Sequence, residues 1–262
     1  MNKNQTTYAA ASIVQYYAQL NELQPAEQMI LDRLSSQLPQ FKMLDIGIGA
    51  GRTTKHFHTR TAHYSGIDSS AEMIDACRKR FPHVAETIFD VCDARDMSCF
   101  DRDTFDFILF SFNGIDYVSK DDRLRILKEI FRVGKPGAIF CFSSHNLQGF
   151  ENAFKFSNQW SLNPIAMYTN LVMCSILRFL NRPLNPSCIK ALSYAIVKDE
   201  SHNFRLDTYY SRPKDQVAQL EQYFNNIEVY SWKNDIELVT EADRAANTDM
   251  WLYYLCTVKL TG

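Results

Sequence analysis

The 262-residue chain lacks any hydrophobic run of bilayer-spanning length. Its most apolar stretch, Ile165 to Leu180, falls short of the roughly 20 residues a membrane helix needs and carries Asn170, Ser175 and Arg178. That segment is predicted to be a helix outside the membrane. No apolar core of a signal peptide follows the polar start Met1-Asn2-Lys3-Asn4. There is no basic excess either. Lys and Arg number 28 against 30 Asp and Glu, a formal net charge of −2, which argues against the broad positive face that nucleic acid requires. The seven cysteines, at 77, 92, 99, 141, 174, 188 and 256, contain no C-x-x-C pair. Their count is odd and several sit in apolar runs, so reduced, buried thiols in a cytoplasmic protein are expected rather than a disulfide framework. Repeats and low-complexity tracts are missing. With 46% hydrophobic residues the chain has ample material for a core, which excludes general disorder.

What is present is an alternation of short apolar runs and helical stretches. Residues 1–40 are expected to form a helical lid, with one helix over Tyr8 to Leu20 and another over Ala26 to Leu38 opened by Pro25. Strands are predicted at Lys42–Ile46, His63–Ile67, Glu86–Val91, Phe105–Phe112 and Ala138–Ser143. Ser69 with Glu72 predicts a capping box for one intervening helix, and Ser119 with Asp122 for another, whose Leu124, Leu127, Ile130 and Phe131 fall at helical spacing. After Asn146 the alternation stops. Residues 147–206 are expected to be a cap insertion over the substrate pocket, and residues 41–146 with 207–262 the main domain, closed by strands at Ile227–Trp232 and Trp251–Lys259. The fold class is α/β: a parallel sheet with helices on both faces.

The most informative segment is Leu44-Asp45-Ile46-Gly47-Ile48-Gly49-Ala50-Gly51, a glycine-rich turn between a strand and a helix start. Glycines permit φ > 0 and close approach of a ligand, and amides at a helix start form a ledge for polar groups. The G-x-G-x-G spacing departs from the G-x-G-x-x-G of dinucleotide enzymes, which disfavours a nicotinamide-dependent oxidoreductase. Asp68, ending the second strand, is placed to accept both hydroxyls of a ribose. Asp93, ending the third, is placed to accept from an adenine amino group, with the Ala94 amide facing the ring. Each acid also has a plainer role open to it: Asp45 as a cap for a neighbouring amide, Asp68 as an N-cap, Asp93 as a surface acid.

Residues 41–145 resemble the class I S-adenosylmethionine-dependent methyltransferases, through Leu44–Gly51, Gly66-Ile67-Asp68-Ser69-Ser70-Ala71-Glu72-Met73, Cys92–Asp96, Phe105–Phe112 and Arg132-Val133-Gly134-Lys135-Pro136-Gly137. Gly134 and Ala138 depart mildly from the family's usual R-V-L-K-P-G-G. The resemblance implies a Rossmann-like seven-stranded, mostly parallel sheet with an antiparallel last strand. It also implies S-adenosyl-L-methionine as cofactor and S-adenosyl-L-homocysteine as product. Gly47, Gly49 and Gly51 would face the cofactor's amino-acid part, Asp45 its ammonium, Asp68 with Ser69 the ribose, and Asp93 with Ala94 the adenine.

Methyl transfer is an in-line displacement, in which the protein aligns the acceptor, excludes water and, for protonated acceptors, supplies a base. The Asn/Asp-Pro-Pro-Tyr/Phe motif of DNA and protein-glutamine N-methyltransferases is missing after the fourth strand, where Ser111-Phe112-Asn113-Gly114 stands. Ser143-Ser144-His145-Asn146 and Asp199-Glu200-Ser201-His202-Asn203-Phe204, followed by Thr208-Tyr209-Tyr210-Ser211, resemble a bacterial small-molecule branch. On that resemblance His145, His202 and Tyr209 are the candidate catalytic residues, and Tyr16, Asn113 and Tyr210 candidate substrate contacts. The aromatic residues Phe150, Phe154, Phe156, Trp160 and Tyr168 are expected either to line the pocket or to pack as core. The two histidines lack metal-ligand spacing, and no metal is expected. A small-molecule acceptor is the expected partner, without nucleic acid or membrane, and the oligomeric state is not legible. A catalytically silent binding protein on the same fold, or a non-methylating transferase, are the rival readings.

Overall fold

The computed structural model describes residues 11–84, 88–201 and 204–260. Its strands are β1 (Lys42–Ile46), β2 (His63–Asp68), β3 (Phe89–Val91), β4 (Phe105–Phe110), β5 (Gly134–Asn146), β6 (Tyr194–Val197), β7 (Thr208–Ser211), β8 (Phe224–Ser231) and β9 (Trp251–Val258). Strands β3-β2-β1-β4-β5 run parallel in that order. Strand β9 lies antiparallel against β5, with Ile139 opposite Thr257 and His145 opposite Trp251, and β8 pairs antiparallel with β9. These seven strands make the Rossmann-like mixed sheet with an antiparallel last strand.

The described sheet has two more strands than expected, because β5 is 13 residues long and overruns its neighbours. Its last residues, His145 and Asn146, pair in parallel with Tyr210 and Ser211 of β7, and β7 pairs antiparallel with β6. The extra ribbon therefore starts where the predicted strand had already ended.

Side-chain alternation divides the core in two. Ile108, Phe110, Phe140 and Phe142 pack on one face with helix α5 (Lys120–Val133). Phe107, Leu109 and Cys141 pack on the other with helix α2 (Pro25–Leu34). The Ser119 hydroxyl caps α5 by accepting from the Asp122 amide, but its buried stripe is Arg123, Ile126, Leu127, Ile130 and Val133. That stripe is rotated from the expected one, and it brings a charge inside. Helix α2 stops at Leu34, short of the predicted Leu38, and a 3-10 turn over Leu38–Gln40 follows. Helix α1 (Ala11–Gln19) carries the chain in from the start of the described region, leaving Tyr8 outside it.

Between β5 and β7 lie helices α6 (Leu147–Ala153), α7 (Pro164–Leu180) and α8 (Pro186–Ala191), with their own cluster of Leu147, Phe150, Phe154, Leu177 and Ile189. Helix α7 buries only Cys174 and Leu177. Phe156, Trp160 and Tyr168 are exposed. Among the described residues no helix is long and apolar enough to cross a membrane. Cys77, Cys141, Cys174 and Cys256 are buried, whereas Cys99 and Cys188 are exposed, so the expectation of uniformly buried thiols fails at loop and helix-start positions.

Candidate active site

The glycine turn follows β1 with Gly47, Gly49 and Gly51 all at positive φ (68°, 53° and 87°). At Gly51 the requirement is also steric, since a Cβ there would stand 2.5 Å from a Phe81 ring atom and 2.8 Å from the Cys77 sulfur. Three amides of the expected ledge are engaged within the protein. Helix α3 (Thr54–Phe57) is a single turn. The Gly47 and Ile48 amides donate to the Ile67 carbonyl, and the Gly49 amide donates to Asp68 Oδ2 at 2.9 Å. These bonds hold the loop against the end of β2 and fix its shape.

Above the loop lies a cleft of about 1020 Å³, open mouth included, lined by Gly47, Gly49, Asp68, Ser69, Asp93 and Ala94 among others. No described residue of 147–206 lines it. Asp68 Oδ1 accepts from the Ser70 amide at 2.9 Å. The Ser69 amide adds to this hold, and the carboxylate's remaining lone pairs are open to a further donor. Burial pushes this carboxyl above its usual value, against the opposing amide bonds. The N-cap of helix α4 (Ala71–Arg80) is Ser70, whose hydroxyl accepts from the Met73 amide; the predicted cap Ser69 is left at the cleft wall. Asp93 is gripped by Arg95, Nη2 to Oδ2 at 2.5 Å, and Arg95 also reaches Asp122. Burial raises the Asp93 carboxyl, but Arg95 outweighs that and holds it below the usual range.

Asp45 sits beneath the loop, 1% exposed, with Oδ2 accepting from the Thr53 hydroxyl at 2.7 Å and the Tyr64 hydroxyl at 2.6 Å. Burial pushes its pKa up to about 6 despite those donors. The sign follows directly. The folded state holds the proton more tightly than the unfolded chain, whose Asp titrates near ~3.9. Stability linked to this group is complete below that value and is lost as pH rises through about 6. Asp45→Asn keeps an acceptor for both hydroxyls and removes the charge. It is expected to stabilise the unliganded protein at pH 8 by about 2 kcal/mol and to flatten the slope of stability between pH 4 and 6. Urea unfolding across that range measures both, and an unchanged slope would contradict the assignment.

The strand ends are tied to the N-terminal region by a buried ion pair. Arg52 Nη1 and Nη2 meet Glu27 Oε2 and Oε1 at 2.5 and 2.7 Å, and Glu27 also accepts from the Ser111 and Tyr253 hydroxyls. Burial works against the Glu27 carboxylate, yet Arg52 and Ser111 bring its pKa below the usual value. The Arg52 guanidinium lies 4.8 Å from the centre of the Phe112 ring. Phe112 and Asn113 both adopt left-handed backbone (φ 57° and 60°), a conformation that costs non-glycine residues about 1–3 kcal/mol each. The Asn113 amide is held by the Ser143 hydroxyl at 2.8 Å. This bend turns Phe112, Asn113 and Tyr117 toward a second chamber of about 1180 Å³, mouth included, which shares Tyr17, Phe112 and Tyr117 with the first.

His145 lines that second chamber. Its Nδ1 bonds Asp116 Oδ2 at 2.8 Å, and its backbone amide donates to the same oxygen at 2.6 Å. Asp116, fully buried, also accepts from the Ser144 hydroxyl at 2.9 Å and forms an ion pair with buried Arg123. An ionised Asp116 keeps the proton on Nδ1 and leaves Nε2 as the acceptor. Nε2 lies 3.5 Å from the Asn113 side-chain nitrogen, and Asn113 Oδ1 is buried without a partner. Asp116 and Arg123 were absent from the sequence-based candidates. The signal for Arg123 was a charge on the buried phase of α5; Asp116 had no comparable mark.

The remaining candidates separate. Tyr16 lines the second chamber from α1. Tyr210 lies behind His145, ring centres 4.6 Å apart, with its hydroxyl donating to Asp199 at 2.7 Å. Tyr209, on the opposite face of β7, is fully buried, accepts from Gln219, packs against Arg123 and lines neither chamber. The catalytic placement expected of it therefore fails, because alternation along β7 turns it away. His202 lies outside the described residues. The aromatic walls come from Tyr16, Tyr17, Phe112, Tyr117 and Trp251, while of the two roles open to the cap rings Phe150 and Phe154 take that of core.

Residues 43–137 match the family model of the methyltransferase domain. Over 108 residues the chain is 34% identical to the biotin biosynthesis bifunctional protein BioHC of Cellvibrio japonicus, covering 41% of this chain and 20% of BioHC. The chain spans less than half the length of the curated relatives it matches. Among solved structures it is similar to an S-adenosylmethionine-dependent methyltransferase from Mesorhizobium loti, with a TM-score of 0.58 at 16% identity over 88% of this chain and 97% of that one. It is also similar to the N-methyltransferase NodS of Bradyrhizobium japonicum, solved with S-adenosyl-L-homocysteine, with a TM-score of 0.53 at 11% identity over 98% and 99% of the two chains. At these identities the structural likeness is one of fold.

Proposed function

We propose, from the match of residues 43–137 to the methyltransferase domain model and the site above, that the protein transfers a methyl group from S-adenosylmethionine to an oxygen or nitrogen of a small molecule held in the second chamber. When bound, the cofactor supplies an electrophilic sulfonium methyl group and leaves as S-adenosyl-L-homocysteine. The residues over the glycine turn suit it. The Asp68 lone pairs accept the ribose hydroxyls, Ala94 borders the adenine, and Asp93 reaches its amino group from within the Arg95 pair. Asp45, ionised above about pH 6 and among the residues lining the cleft, would meet the cofactor's ammonium.

The observation that carries this reading is the pair of adjoining chambers, one over the glycine turn and one faced by an imidazole that a buried carboxylate orients. His145 Nε2 takes the acceptor's proton; Asp116 positions the ring; Tyr17, Phe112 and Tyr117 stand between the two spaces and exclude water from the line of transfer. Calorimetry with S-adenosyl-L-homocysteine is the first test. One site is expected, and a hundredfold excess over Kd should raise stability by about 2.7 kcal/mol. A folded protein that does not bind it defeats the proposal. His145→Ala should then lower kcat by about 10²–10⁴-fold, the range of a general base, with cofactor affinity unchanged. Unaltered turnover removes the base and leaves alignment alone.

A further inference from the structure

The second chamber carries information on its acceptor. Among its described lining residues none is a Lys or Arg, and one, Glu200, is acidic. Tyr16, Tyr17, Phe112, Tyr117 and Trp251 present rings to it. The quadrupole of such rings attracts a cation and repels an anion, most strongly where water is excluded. Two of the polar atoms that its lining residues carry are acceptors. Asn113 Oδ1 is 95% buried with its residue and has no partner among the described residues, a costly state unless a ligand donor meets it. His145 Nε2 beside it is an acceptor by virtue of the Asp116 bond to Nδ1. The Trp251 indole N–H, also buried without a partner, adds one neutral donor and no charge.

We propose that the acceptor is an amine, held as its ammonium by the ring faces and Glu200, with its N–H groups directed to Asn113 Oδ1 and His145 Nε2. This rests on the methyltransferase reading above and narrows it from oxygen or nitrogen to nitrogen. A carboxylate or phosphate acceptor would enter a chamber with no described cation to meet it, and would set a second negative charge near Glu200. The ammonium passes one proton to His145 Nε2, and the freed lone pair forms the new N–CH₃ bond. The methyl–sulfur bond breaks with its electrons going to sulfur. The product is the methylammonium, with one proton released to solvent per turnover.

The test uses the full chain with saturating S-adenosyl-L-homocysteine and three probes of similar size: 2-phenylethylamine, 2-phenylethanol and phenylacetate, titrated calorimetrically at pH 7.5. The ammonium is expected to bind at least tenfold more tightly than the alcohol, and phenylacetate more weakly still. Glu200→Gln, at an exposed position, should cut the preference for the ammonium about fivefold and leave S-adenosyl-L-homocysteine affinity unchanged. Equal binding of the three probes, a preference for phenylacetate, or no binding of the amine overturns the proposal. Failure of S-adenosyl-L-homocysteine itself to bind, read before any probe is added, overturns the functional reading instead. With labelled S-adenosylmethionine, label recovered on the amine supports the proposal, and label recovered only on the alcohol overturns it.

Discussion

Replacing Arg123 with methionine is expected to destabilise the protein by about 3–5 kcal/mol, the range for breaking a buried ion pair from one side. For a chain of this size that is a fall in Tm of about 10 °C or more. Arg123 is fully buried; it pairs with Asp116, donates to Ser144 and Gln216 at 2.9 and 2.5 Å, and lies 4.9 Å from the centre of the Tyr209 ring. Without it the Asp116 carboxylate keeps the Ser144 hydroxyl and the two His145 donors but loses its countercharge. Methionine fills much of the volume, so the loss is mainly electrostatic. The double change Arg123→Met with Asp116→Leu removes both charges and should regain more than half of the stability. Turnover should stay low, because nothing then orients His145. Urea unfolding of the single and double variants decides the matter. A single variant costing under 1 kcal/mol, or a double variant no more stable than the single, would show that the pair is not what holds this corner together.

Asp68→Ala is the second large effect, an expected fall in S-adenosyl-L-homocysteine affinity of about 10²–10³-fold. Hydrogen bonds to a charged group are worth about 1.5–3 kcal/mol each. The substitution removes the acceptor for the Gly49 and Ser70 amides as well as the proposed ribose contacts. The glycine turn loses the Gly49 bond to β2 and keeps those from Gly47 and Ile48 to the Ile67 carbonyl, so part of the turn must be ordered on binding. Asp68→Asn retains one acceptor and should fall between the two. Calorimetry reads all three proteins, and a loss under tenfold in the alanine variant would move the ribose elsewhere in the cleft.

The order of strands and the glycine turn were legible because both are local: a strand, a turn needing φ > 0 and an acid at each of the next strand ends occupy consecutive segments. Partnership across the chain was not. Asp116 acquires its role from Arg123, Ser144 and His145, which reach it from α5 and β5, and no spacing rule links those positions. Ser69 and Ser70 are equivalent by composition; only the backbone path, with the Ser70 hydroxyl on the Met73 amide, separates them. Tyr209 and Tyr210 differ by the parity of β7, which depends on pairing with His145 and Asn146. Composition left the cap rings two roles because rings pack on one another as readily as on a ligand; Phe150 and Phe154 take the first.

Strand β5 is held on one edge by β4 as far as Phe142 and by β7 at its end, and on the other edge by β9, so that His145 pairs with Tyr210 on one side and Trp251 on the other. The imidazole of His145 thus stands at a three-way junction, and strain applied to any arm arrives at the ring. The β6–β7 ribbon contributes no residue to the lining of the first cleft, so on the proposed mechanism it is a mechanical handle on the rate. Slackening it should blunt proton removal while leaving the nucleoside's grip intact.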